Sequence, residues 1–153
     1  MDPLNIEPFK LFEEAQKVQK KIMAGMQVLR TLDEVDFGCT EKEEVYREDK
    51  LVVYRFRGER EPTAKTPTLI VYALVNRPYM VDLQEDKSLV RNLLAQGEDV
   101  YLIDWGYPDL ADRWLTLDDY INGYIRRSVD AVAKKAGVKK INVLGICQGG
   151  AFS

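Results

Sequence analysis

Three short runs constrain this chain more than any other feature: TLIVYALV (68–75), DVYLIDWG (99–106) and KINVLG (140–145). Each has an apolar, β-branched centre, the pattern of a strand buried on both faces. Segments of helical spacing lie between them. SLVRNLLAQG (88–97) sets Ser88 before Leu89, Val90, Leu93 and Leu94 and closes on Gly97, which reads as a helix with a cap at each end. TLDDYINGYIRRSVDAVAKKAG (116–137) opens on Thr116 and Asp119 in capping-box spacing. It carries Leu117, Tyr120, Ile121, Tyr124, Ile125, Ala133 and Ala136 broadly on one face and stops at Gly137. Strands that alternate with helices form a parallel sheet with crossover helices. The expected fold class is therefore α/β.

Upstream, EEVYRED (43–49) and KLVVYRFRG (50–58) flank the polar pair Asp49-Lys50 and read as a β-hairpin, followed by a loop, GEREPTAKTP (58–67). Residues 8–32 read as an amphipathic helix. Pro8 suits its first turn, and Leu11, Phe12, Ala15, Val18, Ile22, Met26 and Leu29 recur at three- and four-residue spacing. Such a stripe packs on the domain or on a partner subunit, with a membrane-surface helix as the alternative. DEVDFGCTEK (33–42) is a polar connection in which Cys39 has no neighbouring base and reads as an incidental thiol. The expected organisation is an N-terminal helix and connection over 1–42, then an α/β core over 43–153.

Composition excludes several functions. With 46% hydrophobic and 31% charged residues the chain is a globular one, and a net charge of −3 gives no electrostatic reason to bind nucleic acid. The longest apolar stretch, Leu69–Val75, is too short for a membrane span, and MDPLNIEPFK lacks a signal-peptide layout. A cytoplasmic location is the default. Cys39 and Cys147 have no metal-ligand spacing, so neither a metal nor a cofactor is expected. The chain has no histidine, which rules out a Cys–His or Ser–His–Asp machine assembled from these residues alone.

The chemistry-bearing motif follows the third apolar run. Gly145-Ile146-Cys147-Gln148-Gly149-Gly150 fits G-x-C-x-G-G, a nucleophile elbow G-x-S-x-G with sulfur in place of oxygen. An elbow turns sharply from strand to helix, strains the backbone of its nucleophile, and needs glycine where side chains would strike neighbouring segments. It would present the Cys147 sulfur at the sheet's carboxyl edge, with a helix N-terminus favouring the thiolate and the Gln148 N–H aimed at a developing oxyanion. Two other readings stand beside it: a phosphate-cradling turn over Gly145–Gly150 in a small dinucleotide- or partner-binding domain, and a cysteine serving as a small buried hydrophobe.

The element order, an antiparallel start and then strand, helix, strand, helix, strand, is that of an α/β-hydrolase up to its elbow. In that layout the second oxyanion donor comes from the loop after the first long buried strand, here LVNRPYMVDL (74–83), at a backbone N–H of Val75 or Asn76. The side chains of Asn76, Arg77 and Asp82 either fix this loop or serve the site. Asp104-Trp105-Gly106 either turns the chain or lines a pocket.

INVLGICQGG, YALVNRPYMVDLQEDKSLVRNLLAQGEDVYLIDWGYPD and LTLDDYINGYI together resemble the catalytic subunit of polyhydroxyalkanoate synthases. The short N-terminal region is most similar to the class III, two-subunit type. The resemblance implies an acyltransferase that polymerises (R)-3-hydroxyacyl-CoA, typically 3-hydroxybutyryl-CoA, into polyester with release of CoA. It also implies Cys147 as nucleophile, a second synthase subunit as partner, and association with polymer granules in the cytoplasm. A thiol suits this chemistry in its own right, because exchanging one thioester for another keeps the acyl group activated. The family also uses an Asp and a His well after the elbow, and Asp33, Asp82, Asp104 and Asp118 do not stand at such positions. The sequence therefore reads as an N-terminal fragment, its fold cut after the elbow, its Asp and His beyond Ser153, and inactive by itself.

Overall fold

A computed structural model describes residues 8–31 and 38–153, and within the first stretch only the side chains of residue 14 and residues 16–26. The chain divides into two units, Met1–Asp36 and Phe37–Ser153. In the first, helix α1 spans Pro8–Thr31. Val18, Ile22 and Met26, four residues apart, are all exposed. The other members of the stripe, Leu11, Phe12, Ala15 and Leu29, lie outside the described side chains, as do Pro8 and Asp33. Among the described residues no helix is long and apolar enough to cross a membrane.

The second unit is a mixed sheet with helices. Strands β1 (Lys42–Glu48) and β2 (Leu51–Phe56) form the expected hairpin, closed by Asp49-Lys50. Asp49 takes φ 49°, a left-handed conformation that Asp tolerates better than most residues. Then follow β3 (Thr68–Val71), a short ribbon of β4 (Asp82–Gln84) and β5 (Lys87–Ser88), helix α2 (Leu89–Ala95) and β6 (Val100–Asp104). A π-helical segment, Asp119–Ile125, runs into helix α3 (Arg126–Ala136), and β7 (Asn142–Gly145) leads to the short helix α4 (Gln148–Phe152). The sheet order is β1-β2-β6-β3-β7. β2 runs antiparallel to β1 and β6, while β3 runs parallel to β6 and β7.

Alternation along the central strands builds two cores. Leu69, Val71, Tyr101 and Ile103 point to one face, with Tyr124, Ile125 and Val132 from the α3 side. Ile70, Val100 and Leu102 point to the other, with Val90 of α2. Leu69, Ile70, Val71 and Ile103 are fully buried, each a contribution of about 1.5–3 kcal/mol. The caps read from sequence form: Ser88 accepts from the Arg91 N–H, Thr116 and Asp119 bond reciprocally, and Gly137 ends α3 at φ 69°.

Four expectations need correction. The first long strand ends at Val71, not Val75: Val71 pairs with Gly145 as the last rung to β7, and the groups beyond it bond to side chains, the Tyr72 carbonyl accepting from the Trp105 indole and the Leu74 N–H donating to Gln148. The second is likewise shorter, Val100–Asp104. The third is not buried on both faces: Asn142 and Val143 are exposed, since β7 is an edge strand that pairs only with β3 among the described residues. The helix over 116–137 is not uniformly α, since its first part has π geometry.

Candidate active site

Cys147 sits between β7 and α4 with φ 56° and ψ −125°. A left-handed φ at a residue with a Cβ is sterically costly, of order 1–3 kcal/mol, and persists only where the surroundings impose it. Here they do. A Cβ on Gly149 would fall inside the carbonyl of Val71, 2.6 Å from its carbon. A Cβ on Gly145 would lie 2.5 Å from the Gly150 Cα and 2.7 Å from the Gly149 oxygen. Gly150 itself would accept a Cβ at near-ordinary contact, 3.4 Å from the Gly145 oxygen. The turn is closed by Gly149 N–H to the Ile146 carbonyl and Gly150 N–H to that of Cys147, both at 3.0 Å. The thiol is free and exposed, so the buried-hydrophobe reading of Cys147 does not hold. Gln148 opens α4, and by helix geometry its N–H has no partner one turn back.

The loop after β3 lies against this turn. The Gln148 side chain accepts the Leu74 N–H at Oε1, 3.2 Å. Trp105 Nε1 donates to the Tyr72 carbonyl, 3.0 Å, from the far side. Val75 and Asn76, the expected second donors, follow directly and are exposed. Asn76 Oδ1 accepts the Arg77 N–H at 2.9 Å, and Arg77 donates to the Gly106 carbonyl at 3.0 Å and stacks on the Tyr107 ring. Asp82 is buried and accepts from Thr40 N–H (3.0 Å), Thr40 Oγ1 (2.7 Å) and Ser88 Oγ (2.6 Å). All three of these side chains make loop-fixing bonds. Sequence reasoning missed the side-chain role of Gln148 and the reach of Trp105. The signal available for both was a long hydrogen-bonding side chain placed directly after a strand or an elbow cysteine.

Further along the same edge, Asp49, Lys50, Leu74, Trp105, Tyr120 and Tyr124 are among the residues lining a cavity of about 80 Å³, of which Cys147 is not one. Trp105 thus both supports a turn and lines a pocket. Tyr124 donates to Asp49 Oδ2 at 2.7 Å, and that bond, with burial, pushes its hydroxyl up to about 12. Lys50 pairs with Asp109 at 2.8 Å and with Asp112, and it holds both carboxyls below the ordinary range. Among the described residues no cluster of acidic, His or Cys side chains could hold a metal ion.

A mixed sheet with this strand order, and a strained, exposed residue in a glycine-walled turn after a parallel strand, define the α/β-hydrolase fold class. Residues 66–153 match that fold's family model accordingly. Residues 15–93 match the N-terminal family of poly-beta-hydroxybutyrate polymerase (PhaC). The chain is 59% identical to the poly(3-hydroxyalkanoate) polymerase subunit PhaC of Allochromatium vinosum over all of its own length and 44% of the relative's. It is 57% identical to that of Thiocystis violacea, again over its whole length and 43% of the relative's. With the subunit of Cupriavidus necator identity is 34%, over 72% of this chain and 19% of the relative. The chain belongs to the PhaC polymerase family, and it spans less than half the length of these relatives.

Proposed function

We propose that Cys147 is the acyl-accepting nucleophile of a polyester-forming acyltransferase of the class III, two-subunit type. The substrate is an (R)-3-hydroxyacyl-CoA, typically 3-hydroxybutyryl-CoA. The Cys147 thiolate attacks the thioester carbonyl, the tetrahedral oxyanion collapses, and CoA leaves as a thiolate that takes up a proton. The acyl group then sits on sulfur as a thioester. The hydroxyl of another hydroxyacyl unit or of the growing chain attacks it, loses its proton to a base, and frees Cys147 as the ester bond forms. The oxyanion is held by the Gln148 N–H and by an N–H of Val75 or Asn76. With no histidine among the 153 residues, the base and its Asp partner come from outside them. In this reading residues 43–153 are the nucleophile-bearing part of the hydrolase core, and 1–42 are the N-terminal helix and connection. The second synthase subunit is the partner, and the cytoplasmic surface of polymer granules is the place of work.

The observation that carries the reading is the backbone of Cys147: a non-glycine residue at φ 56°, exposed, between glycines that have no room for a side chain. The test is Cys147→Ala in the full chain with any subunit that copurifies. CoA release from 3-hydroxybutyryl-CoA should fall at least a thousandfold, to background, with the thermal midpoint unchanged. Sustained CoA release by the variant would sink the assignment.

A further inference from the structure

The Gln148 side chain does work that the elbow motif does not require. An elbow needs only the backbone N–H at that position, and any side chain can supply it. Here the side chain turns back across the elbow and accepts the Leu74 N–H. The loop it reaches has left the sheet: β3 ends at Val71, and the segment beyond it has lost the ladder that would hold it in place. Its backbone is fixed from two sides instead, by Gln148 on the elbow and by the Trp105 indole at the Tyr72 carbonyl. The Trp105 ring is set in turn by an edge-on contact with Tyr120, 5.5 Å between centroids.

We infer that Gln148 is a positioning residue: its side-chain amide ties the 72–76 loop to the nucleophile turn and so sets the second oxyanion donor at a fixed place relative to the Cys147 sulfur. The inference rests on the proposed role of Cys147 and deepens it. One residue then supplies the first donor through its backbone and locates the second through its side chain. Oxyanion stabilisation depends on donors placed for the transition state before the reaction begins, and one donor is worth about 10²- to 10³-fold in rate. A tether that holds a donor, without being one, should account for about ten- to a hundredfold.

The test separates two reactions of the same sulfur. Acylation by 3-hydroxybutyryl-CoA passes through an oxyanion; alkylation by iodoacetamide displaces iodide at a saturated carbon and passes through none. In the full chain with its copurifying subunit, Gln148→Met keeps the side chain's length and removes its hydrogen-bonding amide. CoA release should slow about ten- to a hundredfold in kcat with little change in KM, while the alkylation rate of the Cys147 peptide, followed separately from that of the exposed Cys39, and the thermal midpoint stay near those of the unaltered protein. Unchanged CoA release would overturn the tether. A parallel fall in both rates would also overturn it, because Gln148 would then be shaping the thiol and not the loop. If Gln148→Met fails to fold, Trp105→Phe removes the second tether while keeping an aromatic ring, and the same two rates decide. Failure of the underlying reading has its own signature: Cys147→Ala would retain CoA release although position 147 can no longer be alkylated, whatever the exposed Cys39 takes up.

Discussion

Two stretches of one sheet edge are built in opposite ways. At the β7 end, the turn 145–150 meets the chain at Val71–Tyr72 backbone to backbone, with Gly149 where a methyl group does not fit. At the hairpin end, Asp49 and Lys50 are held mainly through side chains: Lys50 by Asp109 and Asp112 after β6, and Asp49 by Tyr124 of the π-helical segment. Excluded volume is insensitive to salt and pH and tolerates displacements of only tenths of an ångström. Partly exposed ion pairs are screened by solvent and accommodate small shifts. The nucleophile's strained backbone stands at the end held by volume, where strain can be kept. The polar rim of the neighbouring cavity stands at the end held by charge.

The comparison breaks most sharply at Gly149. Gly149→Ala drives a Cβ into the Val71 carbonyl, which is backbone and cannot rotate away. Overpacking of this kind costs about 1–3 kcal/mol and occasionally more; the expected loss is at or above the upper end, about 3 kcal/mol, with CoA release abolished. A denaturant midpoint and a CoA-release assay on the full chain check it. A variant of ordinary stability and activity would mean the two segments are not in contact as described.

The hairpin end has one backbone approach of its own, and it sharpens the contrast. Gly106 has φ 71°, and a Cβ there would lie 2.7 Å from the Lys50 carbonyl oxygen. Gly106→Ala should cost about 1–3 kcal/mol from the left-handed backbone and the crowding together. Because the hairpin turn can move away from it, CoA release should fall by less than in Gly149→Ala. Equal losses of activity would erase the distinction between the two ends.

Much of this was legible in the residues. Buried runs alternating with helical spacing specified the parallel centre of the sheet, and Ser88 and Gly137 marked helix ends that form as read. G-x-C-x-G-G marked the turn because Gly145 and Gly149 in it answer a steric requirement that sequence displays directly. What stayed hidden depends on partners far along the chain. No local pattern announces that Tyr72 and Leu74 will bond to the side chains of Trp105 and Gln148, so the run 68–75 reads as one strand when only Thr68–Val71 is one. The exposure of β7 depends on which strand neighbours it, the ribbon β4–β5 is too short for a period to show, and a π segment differs from an α-helix by less than the spread of apolar positions. The Gln148–Leu74 bond spans 74 positions and follows from the fold alone.

The smallest effect tests the charged end. Lys50→Met removes the cation shared by Asp109 and Asp112 and should lower the thermal midpoint at neutral pH by less than either glycine substitution does. Its pH dependence carries the information. Lys50 lowers both carboxyl pKa values in the fold, so their contribution is fully present above the ordinary aspartate value and is lost as pH falls through the lowered values. The Lys50 pKa is raised by the same bonds, so its contribution is present below the ordinary lysine value and is lost as pH rises through the raised one. The midpoint difference between the unaltered protein and Lys50→Met should therefore be flat from about pH 4 to about pH 10, shrink on either side, and shrink across the whole range in concentrated salt. The difference between the unaltered protein and Gly149→Ala should show neither dependence, because no charge is involved. If the Lys50 difference were also indifferent to pH and salt, the hairpin end would be held by packing of the lysine's methylene chain, and the two ends of the edge would be built alike.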